Sequence, residues 1–261
     1  MRAMNIAATG MQAQQLNVEV ISNNLANMNT TAFKRQRAEF QDLLYQNLER
    51  TGSASSDAGT VVTSGIQIGL GVRTGSVYRV MEQGNLQQTN SPYDLAIEGR
   101  GFFQIQMPSG EFAYTRAGSF QLSPTGQIVT SEGFVVSPGI TIPQDSTSVS
   151  INEQGVVQVT LAGQTAPQQI GQFELASFFN EAGLQALGDN KFQETAASGA
   201  PTAATPGSSG LGSITQNFLE TSNVNAVTEI TSLITAQRAY EMNSKVISTA
   251  DEMLSTTSTI K

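Results

Sequence analysis

In this 261-residue sequence, the features that could take part in chemistry are a few carboxylate side chains and one glycine-rich stretch. Glu98 and Glu111 are candidates for an acid–base pair, and Asp94, Glu98 and Asp189 are candidates for a cation site. None of these residues has the spacing of a calcium loop. The stretch GRGFFQI at residues 99–105 lacks the GxxxxGK consensus of a phosphate loop and precedes a predicted strand instead of a helix. We interpret the carboxylates as surface acids and the glycines as a turn that opens a strand.

Two absences from the composition limit the remaining chemistry. The sequence contains no His and no Cys. This excludes Ser-His-Asp and Cys-His triads and zinc sites with His or Cys ligands, and it removes the usual general base near neutral pH. The formal net charge of −8 leaves no basic face for nucleic acid. We therefore predict a protein that is not an enzyme and that uses no metal, cofactor, nucleic acid or small-molecule substrate.

Apolar residues seven positions apart predict a long helix near the start of the chain. A companion set of positions, also seven apart, adds a second row to the same seam. The seam and companion residues are Met4, Met11, Val18 and Leu25, with Ala7, Gln14, Ile21 and Met28. The pattern predicts a helix over residues 5–28, about 36 Å long at 1.5 Å per residue.

The end of the chain carries the same heptad pattern. Its seam and companion residues are Ala226, Leu233, Tyr240, Ile247 and Leu254, with Ala236, Asn243 and Ala250. Asn225 is the predicted N-cap of this helix. We expect the two terminal helices to pack together as a coiled coil. Beside the second seam lie Ile230, Ile234, Val246 and Met253, so its apolar face is wider than one partner helix can cover, and this surplus predicts contacts with other chains.

The middle of the chain predicts an all-β domain. From residue 72 to about residue 170, short β-rich runs alternate with glycine and with turn signals such as SPTGQ. Stretches of small residues at 50–65 and 195–214 have the composition of flexible or extended connections. We therefore expect an α+β fold with three parts: a terminal helical coiled-coil domain of residues 1–32 and 215–261, an extended connecting arm of residues 33–71, and a β-rich domain of residues 72–214.

The sequence contains neither a membrane span nor a secretory signal that we recognise. No apolar run approaches the roughly 18 residues that a membrane span needs. Residues 1–14 lack the continuous apolar region of a signal peptide, because polar residues and glycine interrupt them. We expect no cleaved signal, which leaves open export by another route.

Four stretches, in this order along the chain, resemble the bacterial flagellar rod and hook proteins. They are SNNLANMNTTAFKR at 22–35, QGNLQQTNSPYDLAIEGRGFFQI at 83–105, YTRAGSFQLSPTGQIVTSEGF at 114–134 and LETSNVNAVTEITSLITAQRAYEMNSKVI at 219–247. The resemblance covers essentially the whole chain. The length of the chain, the EGRGFF block and the stretch RQRAEFQDLLYQNLER at 35–50 resemble the distal rod among the members of this family.

The resemblance implies a structural subunit that assembles with many copies of itself into a straight, hollow, helical drive shaft. In such a tube the terminal helices form an inner coiled-coil layer around a channel, and the β domain lies outside it. The shaft spans the periplasm in the flagellar basal body, transmits motor torque to the hook and passes exported subunits. The implied partners are the proximal rod proteins, the hook protein, the surrounding L and P ring proteins and the flagellar type III export apparatus, which needs no cleaved signal peptide.

The resemblance also implies contacts between copies. Buried amides among the three asparagines of residues 23–27 would fix register there, whereas the alternative is a solvated helix end capped by asparagine. The basic cluster at 34–37 either pairs with an acidic surface of a neighbouring copy or stays solvated. The predicted contact residues are Met4, Met11, Val18, Ile21, Asn23, Asn24, Leu25, Asn27, Phe33, Lys34, Leu233, Tyr240, Ile247 and Leu254.

Residues 50–65, with the apolar group Val61, Val62 and Ile66, are predicted to form a bracing arm. The resemblance implies that this stretch holds neighbouring copies and keeps the tube straight, in the manner of β-augmentation. Its Ser/Gly composition is also that of a disordered surface loop, which is the alternative.

Two alternatives to the distal rod remain at this point. One is a proximal rod or hook paralogue of the same family, and the other is a secreted, cell-wall-associated adhesin or hydrolase. The sequence departs from the family at Ala32, where glycine usually precedes the Phe. Alanine tolerates positive φ poorly, which argues against a left-handed turn at Ala32 and predicts a different end for the first helix.

Overall fold

The computed structural model describes residues 2–48, 65–164, 166–208 and 210–259. Its two long helices are α1 (Arg2–Ala26) and α2 (Ala226–Thr259). The side-chain Oδ1 of Asn225 accepts hydrogen bonds from the N–H groups of Val227 and Thr228, so the predicted N-cap is confirmed. Neither helix, within the residues described, is long and apolar enough to cross a membrane.

A tight turn follows α1 at the position where the sequence argued against one. Ala32 has a φ of +56°, which lies in the left-handed region. Its side chain is 2% exposed, and its N–H donates to the carbonyl of Glu220 at 2.8 Å. The expectation drawn from Ala32 was therefore wrong: the hydrogen bond and the buried methyl group offset a strain of about 1–2 kcal/mol.

Between α1 and the β-rich middle of the chain, the described residues form four strands. They are β1 (Gln36–Asp42), β2 (Tyr45–Asn47), β3 (Gln67–Gly69) and β4 (Val72–Arg79). β1 pairs with β4, and β2 pairs with β3 in antiparallel register. β1 also lies against α1, so this part of the chain is paired backbone instead of an isolated extended arm.

The middle of the chain is built from short antiparallel strands and one 3₁₀ turn, Glu181–Gly183. The strands are β5 (Leu86–Gln88), β6 (Leu95–Glu98), β7 (Phe102–Gln106), β8 (Phe112–Thr115), β9 (Gln121–Leu122), β10 (Ile128–Val129), β11 (Val135–Val136), β12 (Ser146–Ile151), β13 (Val156–Leu161), β14 (Gln168–Gln172), β15 (Leu175–Ser177), β16 (Gln185–Gly188), β17 (Lys191–Gln193), β18 (Thr202–Ala204), β19 (Ser213–Gln216) and β20 (Phe218–Glu220).

The largest sheet among the described residues orders its strands β16-β17-β8-β7-β11-β10-β9, with β15 joining β7 to β18. A meander, β12-β13-β14, and the pairs β19-β6 and β20-β5 complete the β structure. Its main core is aromatic and aliphatic: the ring of Phe103 packs edge-on against Phe120 and Phe173, among side chains that include Leu95, Ile97 and Leu175. The predicted α+β fold with terminal helices and a central β-rich domain is confirmed.

The residues divide into two compact units, and both are discontinuous in sequence. The helical unit comprises the described parts of Met1–Ala26, Gln36–Tyr78 and Asn225–Lys261. The β-rich unit comprises the described parts of Asn27–Arg35 and Arg79–Val224. These limits differ from the three segments expected from the sequence, because the strands of residues 36–78 belong with the helices and residues 27–35 belong with the β structure.

The small-residue stretch at 195–214 is part of the β-rich unit. It contributes β18 and the start of β19, and the side chains of Ser198 and Leu211 are buried. A Cβ placed on Gly212 would lie 2.3 Å from the carbonyl oxygen of Glu98, so small residues are needed there for backbones to approach. The expectation of a flexible connection was therefore wrong for the described part of this stretch.

The left-handed turn gives the first testable prediction. Ala32→Gly removes the strain at positive φ but also loses a buried methyl group and raises the entropy of the unfolded chain. We expect these terms to cancel, so that the free energy of unfolding changes by less than about 0.5 kcal/mol. The control is Ala113→Gly on β8, also fully buried, where no strain is relieved and a loss of about 1.5 kcal/mol is expected. Equal losses in urea titrations of the two variants would contradict the account.

Candidate assembly surfaces and a buried charge cluster

The two helices pack side by side in antiparallel orientation along a line of small residues. Asn24, near the end of α1, bonds to Glu229 near the start of α2, and Gly10 lies against Asn243 further along. A Cβ on Gly10 would lie 2.8 Å from Nδ2 of Asn243. The buried residues of the two helices include Ala7, Ala13, Val20, Ile21, Ala236 and Ala250. The helix axes therefore approach closely at the contacts of Asn24 and Gly10.

The large apolar side chains of α2 remain exposed. Near its start, Val227, Ile230 and Ile234 are exposed, and Tyr240 and Leu254 of the predicted seam are also exposed. Met242 and Met253, exposed by 64% and 60%, line an open apolar groove of about 450 Å³ together with Ala3, Val246 and Ala250. No other part of the described chain covers these residues, which therefore form an unpartnered apolar surface.

Of the three asparagines in residues 23–27, which the sequence predicted either to be buried and fix register or to cap a solvated helix end, Asn24 is buried. Its side chain is 1% exposed. Nδ2 donates to the carbonyl of Gln36 at 2.8 Å and to Oε2 of Glu229 at 3.2 Å, while Oδ1 accepts the N–H of Gln36 at 2.8 Å. The amide thus pairs with the backbone of β1 as a neighbouring strand would, and it fixes where β1 begins along the helix. Its partners lie within the chain.

The other two asparagines have different environments. Asn23 is exposed, and Asn27 lies in the turn after α1. There the carbonyl of Asn27 accepts the N–H of Thr30 at 3.2 Å, and its Oδ1 accepts the Thr30 hydroxyl at 3.1 Å. Both of these bonds stay within the turn that follows α1, so Asn27 helps to shape that turn.

The return of the chain to α1 is also fixed by a polar side chain. Oγ1 of Thr9 accepts the N–H of Val72 at 3.4 Å and donates to the carbonyl of Ile6. Gly71 has a φ of +121°, and a Cβ there would lie 2.3 Å from Oγ1 of Thr9. Asn24 and Thr9 therefore hold β1 and β4 on α1 at two separate points.

The remaining predicted contact residues lie at intermediate exposure, with one exception. Met4, Met11, Val18, Leu25, Phe33, Leu233 and Ile247 are half-buried. The exception is Lys34, which was expected at the surface and is 2% exposed. Its Nζ lies 2.5 Å from Oε1 of Glu220, so its partner is in the same chain and the expected pairing with a neighbouring copy is wrong for this residue.

Lys34 belongs to a buried cluster of three charges. Glu220 accepts from Lys34 and from the N–H of Gly84 through Oε1, and from Nε of Arg116 through Oε2. The guanidinium of Arg116 also donates to three carbonyls, and Lys34 donates to a fourth. These carbonyls belong to Ile97, Gly99, Gly101 and Glu82. Every charged atom of the cluster therefore has a partner, which buried charges require.

The cluster lowers the pKa of both Glu220 and Lys34. Burial alone would raise the pKa of the Glu220 carboxyl, but the charges of Arg116 and Lys34 outweigh this and lower the pKa below its ordinary value of 4.5. Burial lowers the pKa of the Lys34 ammonium, and the nearby Arg116 charge adds to this, although Glu220 opposes it. Glu220 is therefore held ionised.

A second unpartnered apolar face lies on the ribbon of β2 and β3. Alternation along each strand and the pairing of Gln46 with Ile68 place five apolar residues on one side. They are Leu44, Leu48, Ile66, Ile68 and Leu70, all exposed, Leu44 by 83%. Of the predicted bracing group, Ile66 lies on this face, while Val61 and Val62 are outside the described residues.

Two of the carboxylates first considered for chemistry have polar neighbours in the structure. Within the described residues no group of three or more His, Cys, Asp or Glu side chains could hold a metal ion. Asp189 lies 3.6 Å from Lys191, and Glu111 accepts a hydrogen bond from Gln193. These acids pair with nearby polar side chains, as surface acids do.

Comparison with known proteins matches three parts of the chain to family models. Residues 4–34 match the model described as flagella basal body rod protein, residues 96–159 match the flagellar hook protein FlgE/F/G D1 domain, and residues 215–260 match the flagellar basal body rod FlgEFG protein C-terminal region. The flagellar basal-body rod protein FlgG of Caulobacter vibrioides is 63% identical over 100% of both chains. FlgG of Agrobacterium fabrum is 51% identical over 98% of this chain and 97% of its own.

This chain belongs to the FlgG family of flagellar basal-body rod proteins. The flagellar hook protein FlgE of Helicobacter mustelae is 39% identical, but over 52% of this chain and 30% of its own length. The rod proteins of the family therefore account for the whole chain, and the hook protein for about half of it.

Sequence reasoning missed the charge cluster of this rod protein. Glu220 lies 186 residues from Lys34 and 104 residues from Arg116, so no local pattern links them. It also missed Glu229, whose position in the first turn of α2 carried only the weak signal of an acid near a helix N-terminus. Lys34 was predicted to lie at the surface because it is next to Arg35 and near Arg37, and a cluster of basic residues is typical of a solvated surface.

The cluster predicts how stability depends on acid. Glu220→Gln leaves two buried cations without their anion and should lower the free energy of unfolding at pH 7 by about 3–5 kcal/mol. Because the folded pKa of Glu220 is below 4.5, its contribution is fully present above that pH and is lost as the pH falls through the lowered value. The gap between wild type and variant, measured by urea titration, should therefore narrow below pH 4.5.

A matched control for this prediction is Glu98→Gln, an exposed carboxylate of the β-rich unit. It should change the free energy of unfolding at pH 7 by less than about 0.5 kcal/mol. A loss at Glu220 no larger than the loss at Glu98 would show that the cluster does not hold the fold together.

Proposed function

We propose that this protein is a structural subunit of the distal rod of the flagellar basal body, and that its copies assemble through their terminal helices. The observation that carries the proposal is the unpartnered apolar surface of α2. Fully burying one large apolar side chain is worth about 1.5–3 kcal/mol. Eight large apolar residues in the described part of α2 are exposed: Val227, Ile230, Ile234, Tyr240, Met242, Val246, Met253 and Leu254. An exposed apolar surface of this kind is typical of a site that binds other chains.

The assembled form we propose is a hollow helical tube with the helices as an inner coiled-coil layer. The heptad spacing of Glu229, Ala236, Asn243 and Ala250 supports this, since these residues face α1 while the larger apolar residues are left for neighbouring copies. The tube would act as a straight drive shaft that carries torque to the hook and passes exported subunits.

The setting we propose follows from family membership. The rod would cross the periplasm, with proximal rod proteins at one end, the hook protein at the other and the L and P ring proteins around it. Subunits would reach it through the flagellar export apparatus without a cleaved signal. The absence of cysteine suits an oxidising compartment, because no unintended disulfide can form.

The bracing arm is a further part of this proposal. The apolar face of the β2–β3 ribbon flanks residues 49–64 in sequence on both sides, and a two-stranded ribbon is marginally stable by itself. Covering Leu44, Leu48 and Ile68 by a neighbouring copy would stabilise the ribbon. A contact that spans two copies resists both the opening and the compression that bending a tube requires.

The helix surface is tested by charge substitutions at exposed apolar positions. Ile234→Asp and Val246→Asp each place a carboxylate where we expect a neighbouring copy, at a cost of about 3 kcal/mol per contact, or roughly 100-fold in association. Cells that carry only such a variant should lack complete rods in electron micrographs of basal bodies. Ser244→Asp, an exposed polar position of the same helix, is the control and should form rods normally. Complete rods in both apolar variants would exclude this surface as an interface.

The bracing arm is tested by deletion of residues 51–63. The helices remain, so we expect rods to assemble, but they should be curved or flexible because the contact between copies is lost. A second variant, Leu44→Ser with Ile68→Ser, removes apolar side chains from the ribbon without shortening the chain and should have the same effect. Straight rods in electron micrographs of both variants would leave the arm without a bracing role.

A further inference from the structure

The covalent chain passes between the two compact units at four places. These lie after Ala26, Arg35, Tyr78 and Val224. Any displacement that is passed along the backbone from one unit to the other must use these connections. How the β-rich unit holds its ends of the connections is therefore a mechanical property of the subunit.

Within the β-rich unit, three of these four connections meet at the side chain of Asn223. Its Oδ1 accepts the N–H of Arg35 at 2.7 Å. Its Nδ2 donates to the carbonyls of Val80 and Glu82 at 2.9 and 3.0 Å. The N–H of Val80 in turn donates to the carbonyl of Arg35 at 2.8 Å. One amide thus joins the segment that ends at Arg35, the segment that begins at Arg79 and the segment that leads to Val224.

The charge cluster supports the same three segments from the side. Lys34 precedes Arg35, and its Nζ contacts both Glu220 and the carbonyl of Glu82. Gly84 donates to Glu220, and a Cβ on Gly84 would lie 2.0 Å from the carbonyl oxygen of Thr221. The segment at Gly84 therefore runs so close to the segment at Thr221 that a side chain at position 84 would clash with the Thr221 carbonyl. The hydrogen bonds among the three segments are polar and directional.

We propose that Asn223 is the positioning residue of a joint that makes three chain connections act as one. The Val80–Arg35 bond and the charge cluster also link these segments, and the amide of Asn223 adds the bonds that make them open and close together. The joint is a property of the folded subunit and does not depend on the rod function. In a rod, which is where the consequence rests on the proposed function, the joint would share a load on one connection among three.

Amide hydrogen exchange on the full-length monomer tests the joint. Asn223→Ala removes the acceptor of the Arg35 N–H directly, but the N–H of Val80 keeps its acceptor on Arg35 and the N–H of Thr221 keeps its acceptor on Asn85. Coupled segments should open together, so we expect the amides of Val80 and Thr221 to exchange about ten-fold faster, the change in opening constant for the loss of about one net hydrogen bond.

The control and the contrary outcomes are specific. Asn180→Ala removes another side-chain bond to a backbone carbonyl in the same unit. It should leave the exchange rates of the Arg35, Val80 and Thr221 amides unchanged. Faster exchange confined to Arg35 would show that the segments are independent and would overturn the proposal. Faster exchange throughout β7 and β8 would show a general loss of stability in place of a joint, and would also overturn it.

A second experiment tests the consequence in cells. With Asn223→Ala as the only copy, swimming speed should fall more steeply with rising viscosity of the medium than in wild type, while basal bodies are present in normal number. Equal dependence on viscosity would remove the load-sharing role. If rods formed in cells that lack this protein, the proposed function would be wrong. The hydrogen-exchange experiment on the monomer would still test the joint independently.

Discussion

Glu220 lies between two buried cations, and the β-rich unit depends on this arrangement. Taking a carboxylate, a lysine and an arginine out of water is costly, and their mutual attraction repays the cost only when the remaining donors and acceptors are also satisfied. Here the excess positive charge is met by backbone carbonyls, which gives Lys34 and Arg116 their additional acceptors. Because the members come from segments far apart in sequence, the native arrangement is the one that satisfies all of them. The cluster therefore contributes to specifying the native geometry.

The two compact units are stabilised in different ways. The β-rich unit has a closed core in which aromatic rings and aliphatic side chains are fully buried. The helical unit packs α1 on α2 with alanine, glycine and asparagine among the contacts, which allows a close approach, and it leaves several large apolar side chains of α2 exposed. Isolated helices are marginal in water, so under the proposed assembly the contacts with neighbouring copies would add to the stability of the helical unit.

The sequence was informative where the signal was local and periodic. The heptads predicted both helices, with the end of α1 two residues too late, and Asn225 was recognised as the N-cap because asparagine serves that role through its own nearby backbone. Signals failed where a distant partner decides the outcome. The tertiary bond from Ala32 to Glu220 overrides the preference of alanine against positive φ, and the small residues of 195–214 form strands because β15 offers an edge to β18.

The placement of the asparagines shows why polar and apolar contacts occur in different parts of this subunit. Asn24 and Asn223 each replace a strand neighbour by pairing with backbone groups, and hydrogen bonds of this kind fix distance and direction to a few tenths of an ångström. Apolar contact, by contrast, is non-directional and tolerates small shifts. A subunit that must keep its own shape while fitting many neighbours benefits from both. Directional bonds hold the places where the chain passes between units, and the surface that we propose for contacts with neighbouring copies is apolar, so that each copy could settle against the next without losing its internal geometry.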